Sequence, residues 1–258
     1  MPAPRALPAA GAAALLIVLA GCDTLPSRRL DFDTTEPARI DRVTVRPGAG
    51  DVVLHGTGRA GEVRVKRTVR YQGDQPTDTW LVDGAELVLD TDCGRRCSVS
   101  YEVTVPKGVD VRGENGSGDV ELSDTGPVQF QVGSGDVQVR GADGAVRVET
   151  GSGNIDVTDV TASVRLRTGS GNITGSRLAG AVDAEANSGN VTLDVTAPVP
   201  ARAHAGSGDV EVVVPAGRYR VRSSTGSGDA DLGIADDPSA SVLLDLSTGS
   251  GNVTLTAR

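Results

Sequence analysis

The sequence predicts an all-β fold: a parallel β-solenoid, a flattened two-sheet coil of about 18 residues per turn, with a less regular, disulfide-bearing β insertion near its N-terminal end. Three observations carry this. Gly-Ser-Gly followed by Asp or Asn recurs at Gly116–Asp119, Gly133–Asp136, Gly151–Asn154, Gly169–Asn172, Gly206–Asp209, Gly226–Asp229 and Gly249–Asn252. Asn187–Asn190 is a further copy with its first glycine replaced. β-Branched residues fall at even steps along Val137, Val146, Ile155, Val164, Ile173, Val182 and Val191. Finally, glycine reaches 34 of 258 residues while aromatic residues make up 2%, which excludes one thick core and fits thin repeated layers.

The N-terminal segment is read first. Met1–Arg5 carries one positive charge and precedes an apolar run from Ala9 to Ala20. The run is too short to span a bilayer comfortably and has the order of an export signal. It ends in Leu19-Ala20-Gly21-Cys22, which looks like a bacterial lipobox. Residues 1–21 are therefore expected to be a lipoprotein signal peptide, and Cys22 the lipidation site through which the chain meets membrane lipid. An ordinary secretory signal is the alternative. Residues 22–38 are polar, carry two prolines and read as a flexible tether.

Export also accounts for the other cysteines. Cys93 and Cys97 are the only pair left once Cys22 is acylated, and an oxidising compartment favours a disulfide between them. A half zinc site is the weaker reading, because His55 and His204 are distant in sequence. No metal and no cofactor are expected. The formal charge of -9 argues against nucleic acid as a partner.

The array occupies 111–258. Two residues beyond each β-branched position lies a second small or apolar residue, as at Val139, Val148, Val157 and Leu166. Such a pair is one face of a short strand, since side chains alternate along it. One strand per nine residues, two per coil, gives two facing parallel sheets. A triangular helix would repeat its apolar signal about every six residues instead. Across the Gly-Ser-Gly bend the step is constant, as in Val128→Val137 and Leu244→Val253. Across the opposite turn it lengthens along the chain, through Val191→Ala201 and Val210→Val221 to Ala230→Leu244. Region 39–110 continues the same grammar. Val43 and Val45 precede Gly48-Ala-Gly-Asp51, and Val52 and Leu54 follow, so the solenoid is expected to begin near Ile40. An insertion from about Lys66 to Pro106 holds Trp80, Tyr71, Tyr101 and the cysteines, and its aromatics are expected to cover the open end of the stack. The last coil, ending at Arg258, shows no C-terminal cap.

These features resemble a bacterial family of β-strand-repeat domains of unknown function, described as candidate adhesins. The resemblance rests on the lipobox, the Gly-Ser-Gly-Asp/Asn repeats and the lead-in Cys97–Val109, with its Val-Pro-Lys-Gly-Val segment, and it covers about residues 40–258. It implies a β-solenoid and supplies no catalytic residues. Some relatives are linked with cell-envelope stress systems.

Two sites are expected. The turn ladder Asp119, Asp136, Asn154, Asn172, Asn190, Asp209, Asp229 and Asn252 reads as structural capping, with calcium as a weaker alternative because Asp is often replaced by Asn. In that ladder Asp209 and Asp229 are taken to lie in adjacent coils. The lengthening edge reads as a binding edge, with Arg218, Tyr219, Arg220, Asp236 and Asp237 its most adhesive-looking members. Neither histidine lies beside a distinctive group in sequence, so no His-centred relay is visible, and the protein is expected not to be an enzyme. The expected function is a non-enzymatic, extracytoplasmic, lipid-anchored adhesin or structural envelope module on the bacterial cell membrane, with a cell-wall, glycan or envelope-protein ligand. A sensor or accessory subunit of an envelope-stress response is the first alternative, and a glycan-active β-helix enzyme the second.

Overall fold

The computed structural model describes residues 27–76 and 78–258. The signal segment 1–21 and Cys22 lie outside the described residues. Everything described is strand, turn or loop, arranged as two large, mostly parallel sheets with open edges. The protein is a β-solenoid.

The repeats explain why. Each coil contributes one strand to each sheet, joined by the Gly-Ser-Gly bend. The central coils pair β8 (Asp110–Ser117) with β9 (Val120–Ser123), β10 (Val128–Ser134) with β11 (Val137–Arg140), and β12 (Val146–Ser152) with β13 (Ile155–Val160). They continue with β14 (Val164–Ser170) and β15 (Ile173–Leu178), β16 (Val182–Ser188) and β17 (Val191–Val195), and β18 (Ala201–Ser207) and β19 (Val210–Val214). Even-numbered strands here form one sheet, odd-numbered strands the other, and neighbouring strands are parallel and in register, Val128 beside Val146 and Val137 beside Ile155. Valine, isoleucine and leucine alternate inward along each strand and are buried, with Phe130 among them at 0% exposure. Each such side chain contributes on the order of 1.5–3 kcal/mol, so the coils are held by aliphatic layers one side chain deep on each sheet.

The bend is stabilised from inside as well as outside. The residue before Gly-Ser-Gly is often threonine, and its buried hydroxyl donates to a glycine carbonyl of the neighbouring coil: Thr150 to Gly135 at 3.2 Å, Thr168 to Gly153 at 3.0 Å and Thr248 to Gly208 at 2.7 Å. The sequence reading overlooked these threonines.

The N-terminal region departs from simple stacking. It comprises β1 (Arg28–Glu36), β2 (Arg42–Arg46), β3 (Val52–Gly58), β4 (Val63–Tyr71), β5 (Trp80–Asp83), β6 (Glu86–Asp90) and β7 (Cys97–Pro106). The coil β2/β3 lies against β8/β9, as the Val43→Val52 step predicts. On its other side lies β6/β7, whose turn is closed by the Cys93–Cys97 disulfide, with a Cα–Cα distance of 5.5 Å. Antiparallel strands finish this end: β4 and then β1 on one sheet, β5 on the other. Tyr71 and Tyr101 are buried and Trp80 packs against the core. The Tyr101 hydroxyl donates to the carbonyls of Thr79 and Asp90, and burial pushes its pKa up to about 12.

One expectation needs correction here. Residues 22–38 are not a tether throughout, because Arg28–Glu36 are β1, paired along its length with β4. Leu30, Phe32 and Thr34 alternate toward the sheet, and Arg67 of β4 lies 4.2 Å from the centre of the Phe32 ring. Pro37, directly after Glu36, bounds this strand at its C-terminal end.

The C-terminal end holds the larger correction. The remaining strands are β20 (Arg220–Ser227), β21 (Ala230–Leu232), β22 (Leu243–Ser250) and β23 (Val253–Ala257). The final coil β22/β23 is not at the end of the stack. It lies between β18/β19 and β20/β21. After β19 the chain skips one coil position, builds β20/β21, then steps back to fill the gap. The two longest turns, Val210→Val221 and Ala230→Leu244, are the forward skip and the return. They are long because they serve that route.

Candidate functional site

The bend edge, the lengthening edge and the two outer sheet faces are the places where a ligand could meet the solenoid. At the bend edge, each ladder residue but the last accepts a hydrogen bond from the main-chain N–H of the equivalent residue one coil along. Asp51 receives Asp119 at 3.1 Å, Asp119 receives Asp136 at 2.9 Å and Asp136 receives Asn154 at 2.7 Å. The chain of bonds continues through Asn154, Asn172 and Asn190 to Asp209. From Asp209 it passes to Asn252 at 2.8 Å, and from Asn252 to Asp229 at 3.0 Å. Asp209 and Asp229 are thus separated by Asn252, because the last coil is inserted between theirs. One oxygen of each residue except Asp229, the last in the row, is occupied by the neighbouring amide, which explains why Asp and Asn serve equally. The ladder is a fastening between coils.

The lengthening edge is likewise occupied with itself. Tyr219 is buried at 0% exposure, its hydroxyl donating to the Pro215 carbonyl at 2.8 Å, so it is a core residue and not an adhesive one. Arg218 binds Asp237 at 2.6 Å and the Ser239 hydroxyl at 2.9 Å. Asp236 accepts the main-chain N–H of Val221 at 2.8 Å, and the N–H of Asp237 donates to the Tyr219 carbonyl at 2.8 Å. Arg218 first, then Ser239, hold the Asp237 carboxyl down to about 2. Arg220 is partly buried at the start of β20. These residues clip the forward skip to the return.

The histidines have partners the sequence could not reveal. His55 Nδ1 lies 3.0 Å from Ser123 Oγ, and His204 Nδ1 lies 2.9 Å from Ser247 Oγ. Both pairs cross between neighbouring strands, over 68 and 43 residues of sequence. Glu185 sits beside His204 in register, but its carboxylate pairs with Arg167. Neither ring has the orienting carboxylate of a relay among the described residues.

The outer face of the β8–β22 sheet differs from all of these. Outward positions on successive strands carry Arg112, Gln129, Arg147, Arg165, Asp183, Arg202 and Asp245, in register. The positions just before the first buried residue of each strand are small: Pro127, Ala145, Ser163, Ala181 and Pro200. Large side chains beside a low shelf leave a groove of about 550 Å³ running across the strands, along the stack. Its walls are anchored. Arg112 pairs with Asp110 at 3.0 Å and Arg147 with Glu149 at 2.5 Å. Arg165 and Arg167 both hold Asp183, at 3.2 and 2.7 Å. Burial opposes the charge on Asp183, but the Arg167 hydrogen bond and the charges of Arg167, Arg165 and Arg202 outweigh it and lower its pKa. The opposite sheet presents Glu121, Asp156, Glu211 and Asp231 outward, so the two faces differ in charge. Arg147 and Arg165 on adjacent strands, with Arg112 and Arg202 two strands away on either side, can donate paired hydrogen bonds to spaced anionic groups of an extended ligand. The sequence signal for this row was arginine directly after the inward valine, as in Val111-Arg112, Val146-Arg147 and Val164-Arg165.

Comparison with known proteins bears on the architecture. A structure described as a candidate adhesin from Bacteroides fragilis NCTC 9343 is 13% identical, with 89% of this chain and 97% of that one covered at a TM-score of 0.48. A structure described as a candidate cell adhesion protein from Clostridium sporogenes ATCC 15579 is 10% identical, with 89% and 100% covered at a TM-score of 0.33. No curated protein matches the chain. The Toastrack DUF4097 family matches residues 40–257, from just before β2 to the last residue of β23. With nearly all of the coil stack inside that match, the chain belongs to the Toastrack DUF4097 family.

Proposed function

We propose that this protein is a non-enzymatic adhesin-type module of the bacterial cell envelope, lipid-anchored through Cys22 and displayed outside the cytoplasm, and that its ligand face is the arginine-lined groove. The groove is the observation that supports this reading best. It runs along the stack across successive strands, and Arg112, Arg147, Arg165 and Arg202 line it on a protein of formal charge -9. A repeating acidic polymer, such as an acidic glycan of the envelope, matches that form.

The test is binding of the purified protein to a panel of acidic and neutral glycans, beside the combined variant R147E/R165E/R202E. Wild type is expected to retain an acidic polymer, and the variant to lose at least about tenfold in affinity while keeping its strand signature by circular dichroism. Equal binding by the variant overturns the groove. Release of shortened polymer would support the enzymatic alternative instead.

A further inference from the structure

The fold gathers arginines that are scattered in sequence. Arg28 and Arg29 open β1, and the antiparallel register sets them beside Tyr71 and Arg70 at the end of β4. Tyr71 and Arg70 in turn lie beside Cys97 and Ser98 at the start of β7. The turn before β7 holds Arg95 and Arg96, and the Arg96 carbonyl accepts the N–H of Gln72 at 3.1 Å. Five arginines thus meet at one corner of the N-terminal end of the stack, and all five are exposed.

Two of the nearby acidic groups, Asp31 and Asp92, are already engaged. Asp31 is bound by Arg29 at 2.9 Å and by the Thr68 hydroxyl at 2.7 Å, and these hydrogen bonds lower its pKa. Asp92 accepts the Gly94 N–H at 2.9 Å. Asp74 lies two residues beyond Gln72. Among the described residues, Arg28, Arg70, Arg95 and Arg96 form no ion pair with a carboxylate. A net positive corner on a protein of charge -9 is an arrangement that needs a reason.

The reason we infer lies in where the chain enters. β1 begins at Arg28, six positions after Cys22. Six residues reach at most about 20 Å. On the reading that Cys22 is acylated, this corner is the part of the fold held closest to the membrane. We propose that Arg28, Arg70, Arg95 and Arg96 form a contact surface for anionic lipid headgroups. Guanidinium groups donate to lipid phosphates, and a negatively charged bilayer attracts a basic cluster within about a Debye length. The contact would orient the stack, with its disulfide end toward the bilayer and the β20/β21 end away from it.

The contact can be measured without the acyl chain. All strands and core residues described lie within 28–258, so a chain beginning at Ser27 keeps every one of them. That protein is to be sedimented with vesicles of phosphatidylcholine alone, and with vesicles containing an equal share of phosphatidylglycerol. Binding is expected only to the anionic vesicles, and to vanish at about 1 M salt, where the Debye length falls to about 3 Å. R28Q/R70Q/R95Q/R96Q is expected to lower partitioning at least about tenfold, whereas R140Q/R222Q, outside both the corner and the groove, leaves it unchanged. No binding to anionic vesicles, equal binding by the corner variant, or an equal loss in R140Q/R222Q overturns the proposal. Acylation is read separately, from labelled fatty acid on the full chain against C22S. A chain that binds vesicles but takes no label keeps the contact surface and loses only the anchor.

Discussion

The smallest unit on which this fold depends is the second glycine of each bend. All eight copies keep it, and it has positive φ throughout, 145° at Gly153 and 147° at Gly135. A Cβ at Gly153 would stand 2.0 Å from the Gly135 carbonyl oxygen, so the close approach of stacked bends and the backbone angle both demand glycine. The first glycine is under a weaker demand, since Asn187 occupies that position in one copy. Gly153→Ala is therefore expected to cost about 2–3 kcal/mol. Gly151→Asn, which copies the natural exception, is expected to cost less than half as much. Urea denaturation of the two variants distinguishes them, and equal losses would show that the bend does not discriminate between its glycines. The same scale explains why Asp and Asn interchange in the ladder. The task is to accept one amide hydrogen, and a carboxylate and a carboxamide oxygen both do it.

At the scale of elements, the two crossovers at the C-terminal end are fastened by one another's side chains. Arg218 on the outgoing segment grips Asp237 on the returning one, and Asp237 keeps its charge down to about 2. A carboxyl with a lowered pKa stabilises the folded state fully above its ordinary value near 3.8, and the contribution is lost as pH falls toward 2. Protection factors of the amides across 216–240 are therefore expected to fall between about pH 4 and pH 2 in wild type. D237N is expected to exchange faster at neutral pH and to lose that acid dependence. An unchanged acid dependence in D237N would assign the opening to other groups. These segments also mark the boundary of what could be read from sequence. The strand period, the bend and the nine-residue step follow from local chemistry and were legible from Val137 to Val191. The route of the chain was not. A turn that advances one coil and a turn that skips one both appear in sequence as a variable loop between two apolar pairs. Length alone distinguished them, and length invited the opposite interpretation, an unconstrained binding edge. Tyr219 was misread for the same reason, as an aromatic in a loop is buried only if that loop is folded back. The groove was half legible: arginine after valine was visible, but its alignment across coils required the register.

At the scale of the molecule, both ends of the stack are built out of order. Near the N-terminus the first coil, β2/β3, is covered by β6/β7, which comes later in the chain. Near the C-terminus the last coil is covered by β20/β21, which comes earlier. β20 pairs only with β22, and β21 only with β23. Cutting the chain after Val242 is thus expected to remove two coils and not one. Amides from Arg220 to Leu232 should exchange as in an unfolded chain, while those of β14 and β16 stay protected. Protection retained over Arg220–Leu232 would show that the penultimate coil stands without the last. Arg258 sits inside this arrangement, its side chain paired with Asp194 at 2.5 Å and its main-chain N–H donating to Val214 at 3.1 Å. The inserted coil also sets a clock. A chain made from its N-terminus onward completes β18/β19 while Arg220–Leu232 still lacks a partner, and the β18 and β19 edges wait unpaired for the last segment to be delivered. Until Leu243–Ala257 arrives, those edges are open to any extended strand from another molecule. The interval before Leu243–Ala257 is delivered is the period in which this protein is most exposed to misassembly, and it closes only when that segment takes its place.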